Sequence, residues 1–134
     1  MNSKNISVYG CKVIRDELRD TPLYKKIKNK KVRILLLNAY DRLVKKHDLQ
    51  VSDLANYLTI EYLKEYKGGT SREKLYSDFL IVSIASLKEI DIICTNDGKT
   101  MCSAKSKKCC EKVNQKNGLK TSIFISFEEF RKMI

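Results

Sequence analysis

The chain has 134 residues, 43% of them hydrophobic, and its 27 lysines and arginines against 16 acidic residues give a formal net charge of +11. This length and apolar content exclude a disordered chain and are typical of one globular domain, here expected over residues 1–134. The longest apolar runs are four residues, far shorter than the ~20 of a membrane-spanning helix, and the first ten residues lack a signal-peptide pattern. We therefore expect a cytoplasmic protein that does not enter the membrane.

The predicted elements alternate between strands and helices from the N-terminus onward. A short apolar run over 6–9 predicts a strand, and the segment 12–18 predicts the helix that follows it. Apolar residues at helical spacing predict a second helix over 32–47 and a third helix that is capped by Ser52 and continues to Tyr66. We expect the second and third helices to pack as an antiparallel pair.

The middle of the chain predicts a buried helix that is followed directly by a strand. Thr70 and Glu73 have the spacing of a capping box, which predicts a helix that ends near Lys88. This helix is apolar around most of its circumference, as is typical of a helix buried between layers. The next segment, 90–94, is mostly apolar and predicts a short strand of the kind found in parallel sheets.

The C-terminal third continues the alternation. It predicts a helix over 101–114, a strand over 121–125 and a last helix whose capping box is formed by Ser126 and Glu129. Alternation of this kind indicates a three-layer α/β fold in which helices flank a parallel sheet.

Three carboxylates have positions that point to a site. Asp78 lies in the apolar stripe of its helix, where an isolated carboxylate requires a cation, hydrogen-bond donors or protonation. Asp97 follows the strand predicted over 90–94, at the edge where open α/β sheets bind ligands. Glu17 borders the apolar face of the first helix. The alternative for each is a structural role, as a buried hydrogen-bonded aspartate, a turn aspartate and a solvated glutamate, respectively.

Three carboxylates in one crevice repel each other unless a divalent cation neutralises them, and Mg²⁺ or Mn²⁺ prefers such oxygen ligands. A site of this kind performs metal-assisted hydrolysis of a phosphodiester. We therefore expect Glu17, Asp78 and Asp97 to lie in one crevice, both as metal ligands and as catalytic residues.

The positive charge is concentrated in two segments, and a basic surface attracts polyanions such as RNA. The alternative is a lysine-rich surface that serves solubility alone. The two segments contain Lys25, Lys26, Lys28, Lys30, Lys31 and Arg33, and Lys105, Lys107, Lys108, Lys112, Lys116 and Lys120. The residues expected to contact RNA are Lys105, Lys107, Lys108, Thr95 and Asn96.

The chain resembles the PIN-domain ribonucleases over roughly residues 6–125. The similarity is carried in order by VIRDELRDT at 13–21, DFLIVSIA at 78–85 and IDIICTND at 90–97. These segments match the helical E-L element, the D-x-x-I-[AV]-x-x-A helix and the T-x-[DN] strand end of the family. The matching site residues are Glu17, Asp78 and Asp97.

The resemblance implies a PIN-like fold with a parallel sheet, flanking helices and a helical pair inserted between Glu17 and Asp78. It also implies an endoribonuclease that depends on Mg²⁺ or Mn²⁺ and often forms homodimers. Many small members are VapC-type toxins that an antitoxin protein inhibits, and others are stand-alone archaeal proteins. RNA, an antitoxin and a second copy of the chain are therefore the expected partners.

One family feature has no counterpart here. The family opens with a strand that carries an aspartate in a D-[TS]-[NS] pattern, whereas no acidic residue precedes Asp16 and Glu17. Either an upstream segment supplies that strand, or this chain is a reduced member that lacks one metal ligand and cleaves RNA poorly. We expect residues 6–9, or a second copy of the chain, to provide strand pairing in its place.

Two other functions compete with the nuclease. The first is a non-catalytic module that binds RNA or a protein on a degenerate PIN fold. The second is a metal–thiolate domain built on Cys102, Cys109 and Cys110, which ranks last because the chain has no C-x-x-C pair and its single histidine is distant in sequence. We interpret all five cysteines as reduced thiols.

Overall fold

The computed structural model describes residues 6–95 and 103–133, and these residues form an α/β structure of six helices and three two-stranded sheets. Two of the sheets are parallel, so the expected class, α/β with parallel strands, is confirmed. The described residues divide into an N-terminal unit, residues 6–51, and a C-terminal unit, residues 52–95 and 103–133. Within the described ranges, no helix has both the length and the apolar composition needed to cross a bilayer.

The N-terminal unit contains two short sheets and two helices. Its β1 pairs with β4 in parallel, and β2 pairs with β3 as an antiparallel hairpin. The elements are β1 Gly10–Cys11, α1 Lys12–Arg19, β2 Lys26–Ile27, β3 Lys30–Lys31, α2 Val32–Val44 and β4 Asp48–Leu49.

The strand predicted over 6–9 is wrong, because those residues form no regular element and the strand lies at Gly10–Cys11 instead. The amide of Gly10 donates to the carbonyl of His47 at 3.0 Å, which brings β1 beside β4. Gly10 also packs against the Tyr40 ring, where a Cβ atom would overlap the ring. The Tyr40 hydroxyl lies 2.7 Å from Oδ1 of Asp48 and 3.1 Å from the Cys11 carbonyl oxygen. The pairing partner in β4, rather than local hydrophobicity, therefore decides where the strand forms.

The C-terminal unit contains four helices and one parallel strand pair. In that pair, Ile93 of β5 lies opposite Phe124 of β6, and α5 connects the two strands. The elements are α3 Asp53–Glu65, α4 Arg72–Leu87, β5 Ile92–Cys94, α5 Ala104–Lys116, β6 Ile123–Ile125 and α6 Phe127–Met133. Its core is formed by side chains of α3, α4, α5 and β5, including Leu58, Leu75, Phe79, Val82, Ile93, Cys110 and Val113.

Each helix of this unit begins at a serine whose side chain caps it, and one of the predicted caps is wrong by a residue. The Ser52 hydroxyl accepts from the Ala55 amide, and the Ser126–Glu129 capping box is confirmed by reciprocal hydrogen bonds of 3.1 Å. The predicted box at Thr70 is wrong by one residue, since Ser71 caps α4 by accepting from the Lys74 amide. With Ser71 in the cap, the third helical residue is a lysine, so the reciprocal half of the box is lost.

Helices α4 and α5 end in the same way. The amide of Ile90 donates to the carbonyl of Ala85, and that of Leu119 donates to the carbonyl of Asn114. Both pairs are the long hydrogen bond of a Schellman motif, which requires a left-handed residue just past the helix. Glu89 has that conformation after α4, and Gly118 has it after α5.

A buried polar network joins α3, α4 and α5. The hydroxyl of Tyr62 donates to Oδ1 of Asn114. The side-chain nitrogen Nδ2 of Asn114 donates to the hydroxyl oxygens of Ser86 at 3.0 Å and of Thr121 at 2.8 Å. Tyr62, Ser86 and Asn114 are almost completely buried. Because an unsatisfied buried polar group is costly, this network fixes how the three helices face one another.

Candidate functional site

Asp78 lies in the second turn of α4, which is the helix with the most buried residues. The surrounding segment, 77–87, has no exposed residue, and Asp78 itself is half-buried. Phe79 and Leu75 on the same helix are buried in the core. Asp78 therefore lies at the boundary between the core and the surface rather than fully inside the apolar stripe.

The carboxyl ends of β5 and β6 lie side by side. The amide of Thr95 donates to the carbonyl of Ile125 at 2.9 Å, so the pairing continues one residue past β5. Thr95 is half-buried at this edge. The other predicted residues of this edge, Asn96 and Asp97, lie outside the described residues.

Glu17 is exposed on α1, and Asp16 rather than Glu17 lines a cavity of about 250 Å³ in the N-terminal unit. Oδ2 of Asp16 lies 2.6 Å from Nζ of Lys12, and Oδ1 lies 3.2 Å from Nη2 of Arg19. The hydrogen bond from Lys12 holds the pKa of Asp16 below its usual range. Asp16 thus remains an anion that two neighbouring cations already neutralise.

One ion pair, between Arg15 and Asp41, connects α1 to α2. The guanidinium of Arg15 forms two hydrogen bonds to the Asp41 carboxylate, at 3.0 and 3.1 Å. These bonds lower the pKa of Asp41. Two-pronged contacts of this kind fix side-chain orientation, so Arg15 and Asp41 fix α1 against α2.

The expected convergence of the three carboxylates stays a prediction. Glu17 belongs to the N-terminal unit and Asp78 to the C-terminal unit, while Asp97 lies outside the described residues. Among residues 6–95 and 103–133, no three or more histidine, cysteine, aspartate or glutamate side chains are grouped as a metal site would require.

The lysines predicted to contact RNA lie on α5. Lys105 and Lys108 are exposed, and Nζ of Lys107 lies 5.6 Å from the centre of the Phe124 ring. Farther along α5, Lys112 and Lys116 pair with Glu65 of α3 at 3.1 and 3.5 Å. Lys112 in particular lowers the pKa of Glu65. In the second half of this basic segment, Lys112 and Lys116 are therefore occupied by Glu65, and Lys120 by Asp91.

The other basic segment has a structure that the sequence pattern did not predict. Residues 26–31 form the β2–β3 hairpin, with Lys28 and Asn29 both at positive φ in the two-residue turn. Positive φ at both positions is the feature of a type I′ turn, which favours Asn and Gly. Of the two turn residues only Asn29 is of a type that favours this conformation, so the sequence pattern does not indicate a hairpin here.

Cys109 and Cys110 are core residues of α5. Cys110 is 1% exposed and packs with the apolar side chains of the core, and Cys109 is also buried. The hydrogen bond with the Cys109 thiol, together with burial, raises the pKa of Cys110, so it remains protonated. Both thiols thus fill space in the core, and Cys102, the third member of the thiolate hypothesis, lies outside the described residues.

A scan against protein-family models, a search of curated proteins and a search of solved structures each find no match to this chain.

Proposed function

We propose that this chain is a metal-dependent endoribonuclease of the PIN type, in which Asp78, Asp97 and Glu17 hold Mg²⁺ or Mn²⁺. The observation that carries the proposal is the half-buried Asp78 on a helix that leads directly into the parallel β5–β6 pair. This is the order in which the PIN motifs occur in the sequence. An antitoxin protein and a second copy of the chain remain predicted partners.

The spacing along α4 and β5 supports a shared site for Asp78 and Asp97. Asp78 lies nine residues before the end of α4, which is about 14 Å along a helix. Thr95 lies three residues beyond Ile92, which is about 10 Å along a strand. The reversal at Glu89 returns the chain toward the core that both elements share. For a helix that packs antiparallel to the strand that follows it, these two lengths would set Asp78 at about the level of Thr95.

The proposal includes a three-layer PIN-like fold with a parallel sheet between helices. Its required components are parallel strand pairs and a helix that connects consecutive parallel strands. The β1–β4 pair, the β5–β6 pair and α5 between β5 and β6 are such components.

The chemistry of the donor set fits a hard divalent cation, because carboxylate oxygens are the ligands that Mg²⁺ and Mn²⁺ prefer. A bound ion of this kind polarises a phosphoryl group and lowers the pKa of a water molecule. The exposed Lys105 and Lys108 would hold the phosphate backbone, which draws a polyanion toward the acidic residues. Residues 1–15 contain no counterpart of the family's first aspartate, so we expect cleavage by residues 1–134 alone to be weak.

The test is an RNA cleavage assay with the full chain in Mn²⁺, using single-stranded RNA and comparing Asp78→Asn with Asp91→Asn. Asp91 is a matched control because its side chain is 82% exposed and its partner is the surface residue Lys120. We expect weak cleavage that a chelator abolishes, that Asp78→Asn removes and that Asp91→Asn retains. RNA affinity should persist in Asp78→Asn. An added upstream strand with its aspartate should raise the rate by orders of magnitude.

Two results would contradict the proposal. Strong cleavage that is undiminished in Asp78→Asn would show that the carboxylates are not the catalyst. RNA binding with no metal-dependent cleavage, even after an aspartate-bearing strand is added, would favour the non-catalytic binding module.

A further inference from the structure

The β2–β3 hairpin is the most concentrated positive surface of the protein. Between Thr21 and Tyr40 the chain has six basic residues and no acidic residue. Five of the six are lysines within the seven residues 25–31, and all five are exposed. The hairpin is thus a compact cation cluster rather than part of a mixed, charge-balanced surface.

Among the described residues, the hairpin lysines have no acidic partners, as is also true of Lys105 and Lys108 on α5. In the parts of the chain that the structure describes, none of the five forms an ion pair, whereas Lys112, Lys116 and Lys120 each pair with an acidic side chain. An unpaired ammonium group retains its full attraction for an external anion. The charge of the hairpin is therefore available to a ligand.

The hairpin also breaks two rules that govern its own stability. Lys26 lies directly opposite Lys31 across the ladder, and like charges in that arrangement destabilise a strand pair. Lys28 has a φ of 51° in the turn, a conformation that favours glycine and asparagine. Residues that destabilise their own local structure are expected at functional sites. A polyanion bound across the ladder would relieve the repulsion between Lys26 and Lys31.

The base of the hairpin is held in place. The Val32 amide donates to the Lys25 carbonyl at 2.9 Å, and Nε of Arg33 donates to the Thr21 carbonyl at 2.8 Å. The ladder therefore continues into the start of α2, and the lysines project from a fixed two-stranded ribbon. Because the ribbon already holds the lysines in place, binding would cost less conformational entropy.

Exposed aromatic and apolar side chains lie among the lysines. Tyr24 is 79% exposed just before the hairpin, and Ile27 is 59% exposed on β2. Lysines beside an exposed aromatic ring match the pattern of single-strand binders, in which cations contact phosphates and rings stack on unpaired bases. A paired A-form helix keeps its bases inside a narrow groove and would leave the ring without a base to stack on.

We propose that the β2–β3 hairpin, with Tyr24, is a binding surface for single-stranded RNA. The lysines opposed across the ladder contact phosphates, and Tyr24 stacks on a base. This inference deepens the proposed function by placing substrate contacts outside α5, but binding by the hairpin does not require cleavage.

The test measures binding of labelled single-stranded RNA by fluorescence anisotropy, with the full chain in a chelator so that no metal-dependent cleavage occurs. The hairpin variant is Lys26→Gln with Lys31→Gln, and the control of equal net charge is Lys64→Gln with Lys67→Gln. Loss of two phosphate contacts predicts about 20-fold weaker binding at 0.1 M salt and a salt slope smaller by about 1.4. The control should bind within about threefold of the unaltered chain, because it loses only general charge.

Two further measurements complete the test. Tyr24→Ala should weaken binding to single strands more than binding to a duplex of the same length. Lys28→Asn should raise the thermal midpoint, because asparagine suits the turn, and should weaken RNA binding by up to about fivefold. This variant keeps the test valid if the double variant folds poorly.

The proposal is overturned if the control pair weakens binding as much as the hairpin pair, since net charge alone would then explain affinity. It is also overturned if the hairpin variant binds RNA normally but loses binding to vesicles of anionic lipid. Because the assay excludes metal, a hairpin that binds RNA in a chain that never cleaves it would contradict only the nuclease proposal.

Discussion

Glu89 and Gly118 occupy the same position in two copies of one helix-ending motif, with left-handed φ values of 55° and 68°. The hydrogen bonds around them match residue for residue, since the Glu89 amide donates to Ser86 and the Gly118 amide donates to Gln115. Only one of the two helices therefore ends with the residue type that this conformation favours.

This difference predicts opposite effects of substitution at the two sites. Glu89→Gly removes the steric cost of a left-handed side chain and should stabilise the protein by about 0.5 to 1 kcal/mol, after the entropy that glycine loses on folding. Gly118→Ala adds that cost and should destabilise it by about 1 kcal/mol. Urea denaturation measures both changes. Equal stabilisation by Glu89→Ala, which keeps a Cβ atom, would show that backbone conformation is not the cause.

Because the buried polar network depends on the Tyr62 hydroxyl, we expect its removal to lower the free energy of unfolding strongly. Tyr62→Phe leaves Oδ1 of Asn114 without the donor it has in the structure, at a cost of about 1 to 3 kcal/mol. Tyr57→Phe is the matched control, because Tyr57 is exposed on the same helix, and it should change stability by less than about 0.5 kcal/mol. The midpoints of urea unfolding test this, and equal effects of the two changes would rule out a special role for the network.

Because two tyrosines have raised pKa values in the folded protein, we expect the protein to lose stability at alkaline pH. Burial raises the pKa of Tyr62 and of Tyr40, and for Tyr40 the hydrogen bond to Asp48 adds to the effect. In the unfolded chain both tyrosines ionise near pH 10. Above that pH the folded state holds more protons than the unfolded state, so the free energy of unfolding falls as pH rises. The slope is up to about 1.4 kcal/mol per pH unit for each tyrosine.

The measurement is the free energy of unfolding from pH 8 to 11, with Tyr62→Phe as the comparison. This variant should show a shallower fall above about pH 10, because one raised pKa is gone. An unchanged slope would contradict the assigned role of Tyr62 burial.

Most helices were predictable from the sequence because their signals are local. The caps at Ser52 and Ser126 and the helical spacing place α3 and α6 within a few residues, and the apolar circumference of α4 correctly predicts its burial. Ser71 was missed in favour of Thr70, since either hydroxyl can cap and only the backbone decides.

The three-residue strands β5 and β6 lie inside the predicted segments, but the two-residue strands were not predictable, because a strand such as β1 or β4 exists only through its partner. The β2–β3 hairpin was hidden by lysines at positions where turn residues are expected. The candidate site was predictable in part. The helical pattern placed Asp78 beside buried residues of α4, but it did not reveal that Glu17 is exposed on α1 while Asp16 lines the cavity.

We propose that Asp78 and Asp97 bind one divalent cation, and the decisive measurement is Mn²⁺ binding by electron paramagnetic resonance without RNA. Asp78→Asn and Asp97→Asn should each weaken binding by at least about tenfold, since even residues that only orient a ligand contribute that much. Asp91→Asn should bind Mn²⁺ as the unaltered chain does. Equal Mn²⁺ affinity in all four proteins would contradict the claim.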